Sequence, residues 1–301
     1  MKNRIGFFLV SVLLGTSNVG LSQTFVISDV VITRSIPLST GVQLEYVEQG
    51  NRSGTPVIFL HGITDSWHSF EKVLPLLPQN IHAFAISQRG HGDSDRPPAG
   101  YHPKDFAADI AAFVKQKKLK RVVVVGHSMG SVVAQQFALD YPKLVQGIVL
   151  VGADAAFKDN PGMPEFYLEV LNLGETISRE FMEAFQKATL ANDIDPAFFK
   201  TVVNEGLKVP APVFGAAFAG LMDVDYIASL KKINAPTLIL WGEKDAFCSA
   251  SDQDLLAQHL RNVKRVVYAG TGHALHWEKP HQFVEDLSVF ILGIERYQVS
   301  N

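Results

Sequence analysis

The chain has one cysteine, Cys248, among 301 residues, so no internal disulfide can form. A protein built this way relies on its apolar core, and Cys248 reads as a small, semi-buried filler. Cationic excess is also missing: 27 Lys and Arg stand against 30 Asp and Glu, a net charge of −3. Nothing here offers a nucleic acid an electrostatic footprint. No GxxxxGK[ST] loop and no GxGxxG after a strand occurs, which argues against a phosphate or dinucleotide cradle. The ten histidines are scattered without an HExxH, so spacing gives no reason to expect a metal, and no cofactor is implied. There are no internal repeats. The longest apolar run near the N-terminus, Ile5 to Leu14, is about ten residues, too short to span a bilayer comfortably.

That run has another meaning. Lys2 and Arg4 precede it, and the small and polar stretch "GTSNVGLSQ" follows, which is the order of a secretory signal peptide. Residues 1–22 are read as this leader, with cleavage after Ser22, and the protein as secreted or periplasmic. The mature chain then carries 25 basic and 30 acidic residues, a net charge of −5.

What the sequence does contain is an alternation. Phe25 to Thr33 and Val42 to Gln49 alternate apolar and polar residues and read as antiparallel strands joined near Ser39-Thr40-Gly41. Six short, continuous apolar runs follow: 56–62, 81–87, 121–128, 147–153, 236–242 and 264–270. Such runs suit strands covered on both faces. Amphipathic stretches near 67–77, 103–117, 129–141, 251–260 and 280–296 read as helices. The pattern predicts an α/β fold with a mostly parallel, eight-stranded sheet and helices on both faces. The charge run "KQKKLKR" (115–121) fits the solvated C-terminal end of a helix.

One gap breaks the alternation. Between Ala153 and Pro236 lie about eighty residues without a strand signal, rich in phenylalanine. A structureless loop of that length is improbable. Residues 156–228 are read as a helical cap inserted into a core domain made of 23–155 and 229–301. The cap starts after a strand that ends at the same sheet edge as Ser128, so it is expected to lie over that serine. Some of its aromatic rings, among them Phe157, Phe214 and Phe218, are expected to line an apolar pocket.

The chemistry centres on Gly126-His127-Ser128-Met129-Gly130, a G-x-S-x-G set between a valine-rich strand and a helix-forming stretch. A sharp strand-to-helix turn holds such a serine strained and exposed, and glycines two positions either side avoid collision across the turn. Ser131 and Ala134 keep the next turn small. A serine hydroxyl needs a base to take its proton. His273, in "AGTGHALHWEKP" after the last strand, is the candidate, with His276 as its local competitor. A histidine base needs a carboxylate to orient it. Asp245, after the strand ending near 242, is favoured, and Glu243 and Asp154 are rivals. Trp67 and His127 are expected to flank the pocket rather than to do chemistry.

The order Ser…Asp…His, with "HGITDS" (61–66), "RGHGDSD" (89–95), "GHSMG" (126–130) and "GTGH" (270–273), resembles the α/β-hydrolase superfamily over residues 41 to 296. The resemblance implies a hydrolase core with a cap, and an oxyanion hole made of the Ile63 and Met129 backbone N–H groups. It implies that "RGHGDSD" is structural, and that Asp154 stands where some relatives carry the acid. Epoxide hydrolases and haloalkane dehalogenases of this fold carry Asp as nucleophile, so serine points to acyl transfer. The expectation is an esterase acting on small to medium, apolar small-molecule esters, with no obligatory protein partner, as monomer or dimer. Lactonase, C–C bond hydrolase, aminopeptidase and cofactor-free perhydrolase share the same triad, and a ligand receptor on a hydrolase scaffold is the alternative outside catalysis. Expressed with residues 1–22 in an exporting bacterium, the protein should be recovered outside the cytoplasm with Gln23 as its first residue. N-terminal sequencing that returns Met1 from a cytoplasmic fraction would overturn the leader assignment.

Overall fold

Strands whose residues all point into apolar surroundings have to be sandwiched, and β-branched residues suit that pleated, crowded setting. The run Val122–Val125 is wholly buried and forms the centre of the sheet. A computed structural model describes residues 31–157, 160 and 162–299. The leader assigned to residues 1–22 lies outside these residues. Among the described residues, no helix is long and apolar enough to cross a membrane.

The sheet has eight strands: β1 (Thr33–Pro37), β2 (Gln43–Gly50), β3 (Thr55–Leu60), β4 (Ile81–Ile86), β5 (Val122–His127), β6 (Val145–Val151), β7 (Thr237–Gly242) and β8 (Val263–Tyr268). Their order is β1-β2-β4-β3-β5-β6-β7-β8. β1 with β2 and β2 with β4 are antiparallel, and the remaining pairs are parallel. The helices are α1 (Pro103–Gln116), α2 (Met129–Asp140), α3 (Met163–Leu171), α4 (Arg179–Ala188), α5 (Pro196–Gly206), α6 (Ala211–Met222), α7 (Ala250–His259), α8 (Leu275–Glu278) and α9 (Pro280–Val299). One apolar layer joins α1, α2 and the insertion to one sheet face, and another packs β3, β5, β6 and β7 against α9 on the other face.

Helices α3–α6 occupy the stretch that lacked a strand signal. Their apolar residues, including Met182, Val203 and Phe214, belong to the same buried layer as α1 and α2. The insertion therefore buries its faces on the core instead of forming a core of its own.

Three expectations need correction. The first strand is Thr33–Pro37, so the expected strand at 25–33 meets it only at Thr33, and 25–30 lies outside the described residues. The reason is the hairpin: Gly41 (φ +83°) donates to Leu38 O at 3.0 Å, and that turn requires the strand to end at Pro37. Only Ile36 of this edge strand is buried, so its alternation carries little signal. The stretch 67–77 is two 3₁₀ turns, Trp67–Phe70 and Leu74–Leu76, instead of one helix. Pro75 cannot donate within an α-helix, and its ring clashes with the preceding turn. The charge run after α1 is also less free than expected, because Lys117 Nζ reaches Glu48 Oε2 at 2.7 Å.

The loop "RGHGDSD" fastens β2, β4 and α1 together. Arg89 makes a bidentate pair with Asp109 of α1, Nε and Nη2 donating at 2.6 Å each, and Thr40 Oγ1 donates to the same carboxylate at 2.6 Å. Gln43 N donates to Asp95 Oδ2 at 2.8 Å, and Glu45 N to Ser94 Oγ at 2.8 Å. Both members of the Arg89–Asp109 pair are buried, so removing one strands the other's charge. Asp109→Ala should therefore cost about 3–5 kcal/mol in urea unfolding. A loss below about 1 kcal/mol would mean the pair is solvated and not holding the loop.

Candidate active site

Position in the fold follows from parallel strands delivering their following loops to one edge. Ser128 follows β5, Asp245 follows β7 and His273 follows β8. Ser128 has φ +52° and ψ −117°, a region that non-glycine residues seldom occupy. The flanking glycines explain how the turn closes. A Cβ on Gly126 would stand 2.1 Å from Gly130 O and 2.6 Å from Ser131 N, a collision across the turn as anticipated. A Cβ on Gly130 would stand 2.3 Å from Leu60 O and 2.8 Å from His61 O. The second glycine is thus needed for contact with the end of β3, a collision outside the turn itself. Ser131 and Ala134 are fully buried beneath this contact.

His273 Nδ1 lies 3.0 Å and 2.9 Å from the two oxygens of Asp245. Asp245 Oδ1 also accepts from Phe247 N at 2.8 Å and Cys248 N at 3.0 Å, so the carboxylate is held by two backbone donors and the imidazole. The rivals are engaged elsewhere. Asp154 accepts from Ala155 N (2.6 Å), Ala156 N (3.0 Å) and Asn160 Nδ2 (3.3 Å), and burial raises its pKa. Glu243 accepts from Gly270 N at 2.9 Å. His276 sits in α8 with Nε2 at 3.2 Å from Ser69 Oγ, and burial pulls its pKa down to about 3.

The cap holds the histidine loop. Ala274 N donates to Thr189 O at 3.0 Å, Asn192 Nδ2 to Gly270 O at 2.8 Å, and Glu278 Oε1 accepts from Gly272 N and Ala191 N at 2.8 and 3.0 Å. On the other side, His61 holds the "HG" turn. Its Nε2 accepts from Gln88 N at 2.9 Å, so its Nδ1–H donates to Gly62 O at 2.7 Å. Burial and the neighbouring His91 keep its pKa well below 6.5. Ile63 follows this turn. Met129 is the first residue of α2, where an N–H has no intrahelical acceptor.

One cleft brings Ser128, His273, Gly62 and Ile63 together. His127, Phe157 and Phe218 line it as expected. Trp67 and Phe214 do not. Trp67 stacks on His68 at 3.8 Å, and Phe214 is fully buried among Phe181, Phe185 and Phe218. Period alone could not separate a cap ring facing the cleft from one facing its own layer. Sequence reasoning missed Phe166, Phe185, Phe247 and Leu221 on the apolar wall, and Asp65, Gln186 and Thr189 on the polar one. Asp65 was visible as the acidic member of "HGITDS", two residues past Ile63.

Asp245, Cys248 and His273 place one donor atom each within 4.8 Å of the others. This does not suit a metal. The imidazole nitrogen in the group is bonded to Asp245, and burial with nearby carboxylates pushes the Cys248 thiol well up, whereas a metal needs thiolate. Cys248 Sγ instead donates to Gly152 O at 3.4 Å, as a buried filler.

Residues 55–280 match the family model for the alpha/beta hydrolase fold. The chain belongs to this family. It is 31% identical over 241 residues to the AB hydrolase superfamily protein YisY of Bacillus subtilis, covering 75% of this chain and 87% of that one. It is 28% identical over 283 residues to a non-heme chloroperoxidase of Streptomyces lividans, covering 85% and 99%. Among solved structures, an esterase from Exiguobacterium antarcticum superposes with a TM-score of 0.77 at 22% identity, covering 86% and 99%. That last likeness speaks for the fold alone.

Asp65 gives this α/β hydrolase a measurable signature. Burial raises its pKa from 3.8 to about 6, against hydrogen bonds from Gln186 and Ser69 that favour the charged form. A carboxyl that binds its proton more tightly when folded costs stability as pH rises through this interval. Asp65→Asn removes that cost and keeps the shape. Its advantage over the parent in unfolding free energy, read from urea melts, should grow between about pH 4 and pH 7, toward ~3 kcal/mol. A difference that does not change with pH would show that Asp65 titrates normally.

Proposed function

We propose that the protein is an exported serine hydrolase that cleaves carboxylic esters with small to medium, apolar acyl or aryl groups. One observation carries this reading: a strained serine at a strand-to-helix turn shares a cleft with a histidine already oriented by a carboxylate. Ser128 Oγ attacks the carbonyl carbon while the free nitrogen of His273 takes its proton. Asp245 holds the imidazole in the required tautomer. The N–H groups of Ile63 and Met129 hold the oxyanion, one such donor being worth about 3 kcal/mol of transition-state stabilisation. The alcohol leaves with the proton from His273, and water, activated by the same histidine, releases the acid.

The wall of the cleft supports the substrate class. Phenylalanines and Leu221 supply apolar area, and among the described residues no Lys or Arg lines it to receive a carboxylate or phosphate. Export rests on the leader-like order of residues 1–22. A second reading, perhydrolysis with hydrogen peroxide in place of water as acyl acceptor, draws support from the similarity to the chloroperoxidase. Lactones remain covered by the first reading, since they are cyclic esters.

Ser128→Ala should lower ester turnover by as much as ~10⁶-fold with an unchanged circular dichroism spectrum. Asp245→Asn should cost orders of magnitude, and more than Asp154→Asn; the reverse order would move the acid to Asp154. Along p-nitrophenyl esters from acetyl to decanoyl, kcat/KM should rise by up to ~0.8 kcal/mol of binding per methylene until the cleft is full. A succinyl ester that outruns the butyryl ester would defeat the apolar pocket.

A further inference from the structure

Inside this apolar cleft are two polar side chains that the ester mechanism leaves unused. His127, immediately before Ser128, is 2% exposed, and neither of its ring nitrogens makes a well-formed hydrogen bond among the described residues, although the His273 backbone lies near enough to favour its charged form. A buried polar atom left unpaired costs stability, and a native structure seldom keeps one without a use. Asp65, 3% exposed, faces it, with Oδ2 at 3.9 Å from His127 Nδ1. That separation is too long for a direct hydrogen bond. It suits one oxygen atom at about 2.8 Å from each. Gly62 packs closely against both groups, where a Cβ would stand 3.0 Å from His127 Nδ1 and 3.2 Å from Asp65 Oδ2.

We propose that Asp65 and His127 form a hydroxyl-binding subsite, so that the preferred substrates are esters whose acyl part carries a hydroxyl within two or three bonds of the scissile carbonyl. This rests on the ester-hydrolase reading of the same cleft. The distance along the acyl chain follows from the chain itself. His127 precedes the nucleophile by one residue, and Asp65 follows the oxyanion donor Ile63 by two. A group between them is therefore close to the carbonyl.

The choice of hydroxyl follows from what each partner offers. Burial and the neighbouring histidines hold His127 neutral, with one N–H and one lone pair. Asp65 Oδ1 accepts from Gln186 Nε2 at 3.0 Å and Oδ2 from Ser69 Oγ at 3.3 Å, which leaves lone pairs free on both oxygens. A hydroxyl accepts from the imidazole N–H and donates to the carboxylate through a single atom. A methylene does neither. A second carboxylate cannot donate and meets Asp65 with like charge.

The test compares p-nitrophenyl butyrate with its 2-hydroxy, 3-hydroxy and 3-methoxy analogues. The parent enzyme should favour at least one hydroxy ester over butyrate by about tenfold or more in kcat/KM. The methoxy ester, which accepts but cannot donate, should lose most of that advantage. Asp65→Leu and His127→Phe should bring the hydroxy-to-butyrate ratio toward one. Asp65→Asn and His127→Gln, which keep the shape, guard against misfolding and should lower the ratio in the same direction. A second measurement does not depend on turnover: calorimetric titration of Ser128→Ala with methyl 3-hydroxybutyrate, methyl 2-hydroxybutyrate and methyl butyrate. Tighter binding of a hydroxy ester, lost on adding Asp65→Leu, supports the subsite even if no ester is hydrolysed, in which case the hydrolase reading alone falls. Brisk hydrolysis of butyrate with no preference for either hydroxy ester, or a preference unchanged in all four variants, overturns the subsite and leaves the hydrolase reading intact.

Discussion

The close approach of helix α2 to the end of strand β3 is the constraint from which the site follows. With a Cβ on Gly130 the helix would have to retreat from Leu60 O, and with one on Gly126 the turn itself would open. Two glycines let the chain reverse within a few residues, and the reversal forces Ser128 to φ +52°. The strain lies in the residue that must project from the surface. It is held because everything beneath it is fully packed: Val122–Val125, Ser131 and Ala134 leave no room to relax. The same approach brings the start of α2 beside the "HG" turn.

Burial then decides which polar groups can act. His61, His91, His127 and His276 are all buried and all pushed toward the neutral form. His61 and His276 are engaged in holding the loops around the serine. The carboxylates separate in the same way. Asp245 meets two backbone donors and an imidazole, while Asp65 is desolvated more than its partners compensate. Two acids, Asp245 behind the imidazole and Asp65 on the cleft wall, thus have different surroundings, one suited to orienting a base and the other to meeting a substrate hydroxyl.

Much of this was legible in the sequence because local and tertiary demands coincide there. The buried strands announce themselves as continuous Val and Ile runs, and the serine turn as glycines spaced two residues either side. The cap was legible as an absence of strand signal, and its layer-sharing with the core as an excess of phenylalanine. What was not legible depends on single contacts. Phe214 and Phe218 stand four residues apart on α6, on neighbouring positions of one helix face, yet only Phe218 reaches the cleft. Trp67 turned to stack on His68, a contact no pattern reports. Pro75 ended a helix that the apolar spacing supported, because proline's missing donor outweighs amphipathic periodicity. The first strand was misplaced because an edge strand with one buried residue hardly alternates at all.

The segment 186–192 at the end of α4 connects these features. Gln186 donates to Asp65 at 3.0 Å, on the side of the cleft beside Gly62 and Ile63. Three residues later Thr189 accepts from Ala274, next to the histidine, and Asn192 bonds the carbonyl of Gly270 and the carboxylate of Glu278. One short piece of the cap therefore braces both the proposed recognition corner and the loop that carries the base. A cap that only covered the serine could drift without consequence for His273. This one cannot, because Gly272 is packed so closely on it that a Cβ there would lie 2.6 Å from Thr189 O. Displacing the segment would loosen the Asp65 side chain and the imidazole together. On the proposed mechanism, substrate fit and base position are thus set by the same few hydrogen bonds, so the insertion takes part without contributing a reacting atom.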